Sequence, residues 1–236
     1  MGLFHSPNIV TDGLILNLDA GNTKSYPGSG NTWTDLSKEK NHATISNFAV
    51  GSLNGGTLTG NGATSSGFIN ASASLQPASI TMEAMIKPLD NGGSFTNVIS
   101  YPPNDDAHQS PWMIYAIYLT HAAWSGTGQL HTRISGAGHY SVENVYEFGV
   151  WNHLVISFHN QAIKYYRDGV LKDTDTNSAA TISYSGYENQ NVMIGVNPNG
   201  TEDFEGEYSN IKLYNRALTD AEVKQNFEAI RGRFGL

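Results

Sequence analysis

Residues 151–174 read Trp-Asn-His-Leu-Val-Ile-Ser-Phe-His-Asn-Gln-Ala-Ile-Lys-Tyr-Tyr-Arg-Asp-Gly-Val-Leu-Lys-Asp-Thr. Trp151 to Phe158 and Ile163 to Arg167 are rich in β-branched and aromatic residues, and Val170 to Thr174 returns after Asp168-Gly169. An Asp-Gly pair tolerates the positive φ angles of a type I′ turn, whose twist matches that of paired strands. The segment therefore predicts consecutive antiparallel strands joined by tight turns, and most of the chain repeats that pattern.

Upstream, Gln129 to Ser135 and His139 to Val145 predict a hairpin turning at Gly136, Ala137 and Gly138. Trp112 to Leu119 is apolar or aromatic on both alternating faces, as a strand covered on both sides must be. Val98 to Tyr101 and Ile80 to Lys87 predict two more strands, and Gly13 to Leu18 sets Leu14, Leu16 and Leu18 on one face. Asp19 to Asn31, polar and marked by Gly21, Pro27, Gly28 and Gly30, reads as a long rim loop. Downstream, Val192 to Val196 and Tyr208 to Tyr214 complete the β region.

The C-terminus changes period. Thr219 and Glu222 fit a capping box, Leu218 and Val223 a hydrophobic staple, and Val223, Phe227 and Ile230 an apolar stripe. A helix is predicted over residues 219–231, with Gly232 as its stop. Short strands that each bury one face need a facing sheet, so the expected fold is all-β: a two-sheet antiparallel jelly-roll sandwich with one short C-terminal helix. Residues 1–12 read as an N-terminal arm and residues 13–236 as one domain.

Composition narrows the function. Thirteen basic against 21 acidic side chains give a net charge of −8, which disfavours nucleic acid or an anionic membrane as partner. Charged residues make up only 14% of the chain, so Asn, Thr, Ser and Gly carry the polar surface. With no cysteine there is no disulfide, thiolate metal site or thiol nucleophile. No run approaches the roughly 20 apolar residues of a membrane span, and the first residues lack a signal-peptide pattern.

Three motifs carry a resemblance to a known family: Gly13-Leu-Ile-Leu-Asn-Leu-Asp-Ala-Gly-Asn22 with Ser25-Tyr-Pro-Gly28 and Trp33-Thr-Asp-Leu-Ser37; Trp151-Asn-His-Leu-Val-Ile with Tyr166-Arg-Asp-Gly169; and Met193-Ile-Gly195 with Gly206-Glu-Tyr-Ser-Asn-Ile-Lys-Leu-Tyr-Asn-Arg-Ala-Leu218. The chain resembles the laminin-G-like members of the concanavalin A-like lectin/glucanase superfamily, in the variant common in tailed-phage virion proteins. The resemblance implies two curved sheets of six or seven strands with first and last strands adjacent. It also implies placement on the phage particle, as a capsid decoration or tail-fibre appendage among other virion proteins. Because one fold serves many activities, the site has to be argued from its own residues.

The glucanase relatives carry Glu-x-Asp-x-x-Glu on an inner strand, and no segment here matches it. Glu205 with Glu207 and Glu143 with Glu147 have strand spacings but sit at strand ends. The chain is accordingly read as a non-enzyme with no catalytic residues, a polysaccharide-degrading activity ranking last. Glycan binding needs aromatic faces beside neutral hydrogen-bonding side chains, which Trp112, His121, Trp124, Gln129 and Arg133 supply. His131 and His139 read as surface histidines, and Trp33 and Trp151 as packing residues. Asp173-Thr-Asp-Thr-Asn177 begins like a calcium loop but has Ser178 where the turn needs Gly. A structural calcium bridging first and last strands through Asp19 and Glu207 is the expected cofactor, which the family resemblance allows. A homo-oligomer is the expected state, because multivalency offsets the weak affinity of a shallow groove. A pure assembly role, with Met1 to Val10 or Val50 to Leu58 contacting a neighbour, is the competing expectation.

Overall fold

The computed structural model describes residues 7–90, 95–102, 113–120, 128–135, 140–176 and 181–236. Two antiparallel sheets of eight strands each stack face to face. The first contains β1 (Leu14–Asp19), β4 (Ala49–Gly51), β5 (Thr57–Asn61), β7 (Ile80–Pro88), β12 (Asn152–His159), β13 (Ala162–Arg167), β14 (Val170–Asp175) and β16 (Glu205–Tyr214). The second contains β2 (Thr32–Trp33), β3 (Ala43–Ser46), β6 (Ser66–Ile69), β8 (Phe95–Tyr101), β9 (Tyr115–Thr120), β10 (Gln129–Thr132), β11 (Tyr140–Val142) and β15 (Val192–Ile194). The helix α1 (Asp220–Ile230) lies on the outside of the first sheet.

The first sheet runs β14-β13-β12-β7-β16-β5-β4, and β1 also pairs with β16. β16 therefore has three partners: β7 along one edge, and β5 and β1 end to end along the other. First and last strands are adjacent, as expected, but the sheets are one or two strands wider than the resemblance implied. The second sheet runs β11-β10-β9-β8-β15-β6-β3-β2. Between the sheets Leu16, Leu18, Met82, Ala84, Leu154, Ile156, Ile211 and Leu213 meet Ile99, Tyr115, Ile117, Leu119, Leu130 and Ile194. Trp33 and Trp151 are buried, as the packing reading requires.

The motif residues have identifiable structural work. Asp168 and Gly169 adopt φ of 52° and 74°, the pair of positive angles a type I′ turn needs. The Asp168 carboxylate accepts from the His153 amide at 3.0 Å while the Asp168 amide donates to the His153 carbonyl at 2.9 Å, tying the two halves of the central motif together. In the first motif the buried Asp35 accepts from the amides of Asn17, Ser37 and Asn41 at 2.7 to 2.8 Å, fixing the β2–β3 loop and tying it to β1 of the other sheet.

The helix begins at the expected capping box, Thr219 Oγ1 accepting from Glu222 N and the Glu222 carboxylate from Thr219 N. Leu218 and Val223 are both buried with Val155, Tyr166 and Tyr214. Its C-terminus differs from expectation: Arg231 to Arg233 tighten into a 3-10 turn instead of a glycine stop at Gly232. Phe234 then folds back so that its ring centroid lies 4.7 Å from that of Trp151.

Two expectations about free apolar segments hold only in part. Within Val50 to Leu58, Leu58 is buried in the core, and only Val50 and Leu53 stand out, at 49% and 73% exposure. Val10 is buried against the helix, its amide donating to Asn226 Oδ1 at 2.8 Å, because the arm completes the layer under α1. Residues 1–6 lie outside the described residues.

Candidate functional site

The outward face of the second sheet is assembled by strand alternation. In β10, Leu130 enters the core, so Gln129 and His131 point outward and Arg133 follows at the next odd position. Register puts Thr120 opposite Gln129 and Tyr118 opposite His131. On the other side of β9, Asn97 faces Tyr118 and Ser100 faces Ala116, across a bulge between Asn97 and Ile99. Met193 of β15 continues the face beside Ser100.

The result is a polar and aromatic layer, itself largely buried, unlike the apolar inner face of the same strands. Phe95 meets the rings of Tyr118 and His131 edge-on, with centroids 6.3 and 5.4 Å apart. His131 Nε2 and Thr120 Oγ1 are 2.8 Å apart, and Gln129 donates to Glu143 at 3.1 Å. The Tyr118 hydroxyl donates to Asn197 Oδ1 at 2.9 Å, and Asn97 Nδ2 reaches Ser100 Oγ at 2.8 Å and Asn197 Oδ1 at 3.1 Å. Asn197 in turn donates to the Glu202 carboxylate. Burial pushes the Tyr118 hydroxyl well above its ordinary range, and the Glu202 charge adds to this, so Tyr118 stays a neutral hydrogen-bonding group. For Arg133, burial acts against the charged form while Tyr118 and Glu202 favour it.

At the β8–β15 side of this face opens a cleft of about 320 Å³. Pro102, Met193 and Pro198 give it apolar walls, and Asn189, Gln190 and Asn191 supply neutral amides. That combination suits a sugar ring, which presents C–H faces to apolar surface and hydroxyls to amide groups.

Of the five predicted glycan-binding residues, the structure brings Gln129 and Arg133 onto this one face. Trp112, His121 and Trp124 lie outside the described residues, as does His139. His131, read from sequence as a surface histidine, is instead buried on the site face at 7% exposure, because Phe95 and Thr120 pack around its ring. Sequence reasoning missed Tyr118, Asn97, Asn197 and Glu202. The alternation Gln129, His131, Arg133 is the one local signal that pointed to the face, since Asn197 and Glu202 arrive from a distant loop.

Asp19 and Glu207 do not form the donor set a calcium ion needs. Register sets Asp19 opposite Asn210, while Glu207 lies opposite Thr59 and Lys87. Arg233 Nη1 binds both Asp19 oxygens, at 3.0 and 3.1 Å, and Lys87 binds Glu207 at 3.2 Å, so each carboxylate is already balanced by its own cation. Among the described residues, no group of three or more His, Asp or Glu is arranged to hold a metal ion. The candidate carboxylate pairs are similarly engaged: Glu147 with Arg167 at 3.1 Å and Glu143 with Gln129.

The outer face of the first sheet is built differently. Beneath α1 the buried Glu83 receives Lys212 Nζ and, at 2.7 Å, Asn226 Nδ2, and His153 Nε2 lies 3.1 Å away without hydrogen-bonding geometry. Burial alone would raise the Glu83 carboxyl, but Lys212 and His153 beside it overcome this and hold it at about 2. The helix covers this cluster, whereas on the second sheet Asn97, Tyr118, Gln129, His131 and Asn197 are buried beside the Asn189–Asn191 cleft.

A laminin-G family model of the concanavalin A-like lectin/glucanases superfamily matches residues 60–224. The chain belongs to that superfamily. Over 79 residues it is 35% identical to human usherin, a stretch that covers 33% of this chain and 2% of usherin. The chain thus spans only a small fraction of the curated relatives it matches.

Among solved structures, domain 4 of AbnA, a GH43 extracellular arabinanase from Geobacillus stearothermophilus in complex with arabinotriose, superposes with a TM-score of 0.67 at 21% identity, over 92% of this chain and 99% of that one. Trypanosoma rangeli sialidase bound to the inhibitor DANA gives a TM-score of 0.68 at 16% identity, over 95% of this chain and 35% of the sialidase. At these identities the likeness is one of fold. It nevertheless corrects the non-enzyme expectation, since the same architecture is found within a sialidase and a GH43 arabinanase. Absence of one glucanase carboxylate motif therefore does not set this chain apart from enzymes.

Among the described residues, no helix is long and apolar enough to cross a membrane.

Proposed function

We propose that this domain binds carbohydrate on the outward face of its second sheet, with the Asn189–Asn191 cleft as the point of access. The observation that carries the reading is the contrast between the two outer faces. One packs a helix over a buried ion cluster, whereas the other holds a hydrogen-bonded layer of buried Tyr118, Gln129, His131, Asn97 and Asn197, with Phe95 and Arg133, behind a cleft of neutral amides that is open. Membership of a lectin/glucanase superfamily and the arabinotriose complex of the AbnA domain support the same ligand class.

The test is isothermal titration with arabinotriose and a panel of oligosaccharides on the intact chain and on Asn189→Ala and Gln190→Ala. Both side chains line the cleft, and losing one good hydrogen bond should weaken binding about tenfold. Reducing-end release in the same samples reads whether the bound glycan is also cleaved. Equal binding by parent and variants would overturn the placement, and no binding by the parent would overturn the function.

The narrower setting on a phage particle, in contact with capsid or tail proteins, is part of the proposal and rests on the motif resemblance. Finding the chain in purified particles by mass spectrometry would test it.

A further inference from the structure

A second cleft, of about 680 Å³, lies at one end of the sandwich, where β7 begins and β12 turns into β13. Phe158 and Ile182 give it an apolar floor, and Ser79, His159, Asn160, Gln161 and Thr181 surround that floor with neutral polar groups. Among the described residues that line it there is no Asp, Glu, Lys or Arg. Its walls are pinned: Tyr184 donates its hydroxyl to the Pro77 carbonyl at 3.0 Å, holding the segment after Thr181 against the segment before β7. Ser79 Oγ and His159 Nδ1 are 2.7 Å apart, which orients the imidazole and leaves Nε2 for a ligand.

The β12–β13 turn adds an independent observation. His159 pairs with Ala162, so the turn consists of Asn160 and Gln161, with φ of 47° and 65°. A type I′ turn has both central residues in this region, and the second position is ordinarily glycine. Here it is Gln161, an exposed side chain kept at a backbone position that disfavours it, on the rim of a cleft. Strained positions of this kind collect at functional sites. Asp168-Gly169, the equivalent turn of the next hairpin, packs against the helix and does use glycine.

We infer that this cleft is a separate binding site for an uncharged saccharide, with Phe158 and Ile182 under the sugar's C–H face and Ser79, His159, Asn160 and Gln161 taking its hydroxyls. An apolar base with neutral donors and acceptors matches a polyhydroxylated ring, and the absence of Asp, Glu, Lys and Arg among its described lining residues gives no anchor there for a carboxylate or phosphate. The site stands on its own geometry and does not depend on the sheet-face reading.

The experiment is an amide NMR titration of the full chain with arabinotriose and maltotriose, and with 3′-sialyllactose as a charged control. The expected result is shifts at Asn160, Gln161 and Thr181 with a neutral sugar and not with sialyllactose. Gln161→Gly should weaken that binding about tenfold without lowering the melting temperature, because glycine adopts the turn freely. A merely structural Gln161 would give the opposite pattern. Ser79→Ala, which frees the imidazole, should weaken binding with the fold intact. Shifts confined to Asn189, Gln190 and Met193 would overturn this site while sustaining the sheet-face proposal; shifts at Asn160 and Gln161 alone would do the reverse. No shifts with a neutral sugar, undiminished binding in both variants, or equal response to sialyllactose would each overturn the inference.

Discussion

At the residue scale the most consequential side chain is Glu83, an ionised carboxylate at 0% exposure. It is tolerated because Lys212 and Asn226 share its two oxygens. Removing one member of a buried ion pair leaves the other uncompensated, so Lys212→Met is expected to cost about 3–5 kcal/mol in urea unfolding. The double variant Glu83→Leu with Lys212→Met should recover much of that loss. The pH dependence follows from the direction of the shift. The folded-state pKa of Glu83, about 2, lies below the ordinary 4.5, so its contribution is complete above pH 4.5 and is lost as pH falls toward 2. Acid unfolding of the parent should steepen within that window, and Glu83→Gln should remove that part of the slope. None of this cluster is visible in the sequence, where Glu83 and Lys212 alternate on strands like any solvated residues. Their burial follows from a helix docking on them more than 130 positions after Glu83, a contact no local pattern encodes.

Elements with a local code were readable. The capping box gave the helix start because Thr219 and Glu222 satisfy each other's backbone within one turn. Thr219→Ala should cost about 1 kcal/mol, measured by thermal or urea unfolding. The Asp168-Gly169 turn was readable for the same reason, and it is also a docking surface. A Cβ on Gly169 would approach Phe227 Cβ at 3.1 Å and Lys224 Cα at 3.2 Å, at a φ of 74°. Gly169→Ala is therefore expected to destabilise by more than the ~1 kcal/mol of an ordinary glycine replacement, because it both strains the turn and pushes the helix off the sheet. The elements between Thr32 and Ile69 were not readable. Those five strands have two to five residues each, too few for alternation to register, and their Thr, Ser, Gly and Asn look like loop. Partners identify them instead: β5 with β16, and β6 with β15, both over a hundred residues away in sequence.

For the whole molecule, the outer faces of the two sheets differ in chemistry, an ion cluster under a helix on one and a neutral polar layer beside a cleft on the other, and that difference, not any single motif, locates the candidate site. Gln129 and Arg133 were legible as neighbours on one strand face, while Asn197 and Glu202 join them from a loop about 70 positions further along. The calcium expectation rested on Asp19 and Glu207 belonging to adjacent first and last strands, and that adjacency is present. What the sequence could not show is that Arg233, beyond the helix, returns to take both Asp19 oxygens. Chelator is thus expected to leave the melting temperature unchanged; a drop on adding EDTA, reversed by calcium, would reinstate a bound ion.

The threefold partnership of β16 has a consequence for biosynthesis. β7, β5 and β1 all converge on a strand that ends at Tyr214, so a nascent chain leaving the ribosome carries almost the entire domain before the ribbon that joins those three pieces exists. Until then several unpaired edges are presented at once, which is the condition under which chains associate with one another instead of folding. Translation stalled shortly before residue 205 should yield a protease-sensitive, chaperone-bound product, and the emergence of β16 should close the domain in one late step.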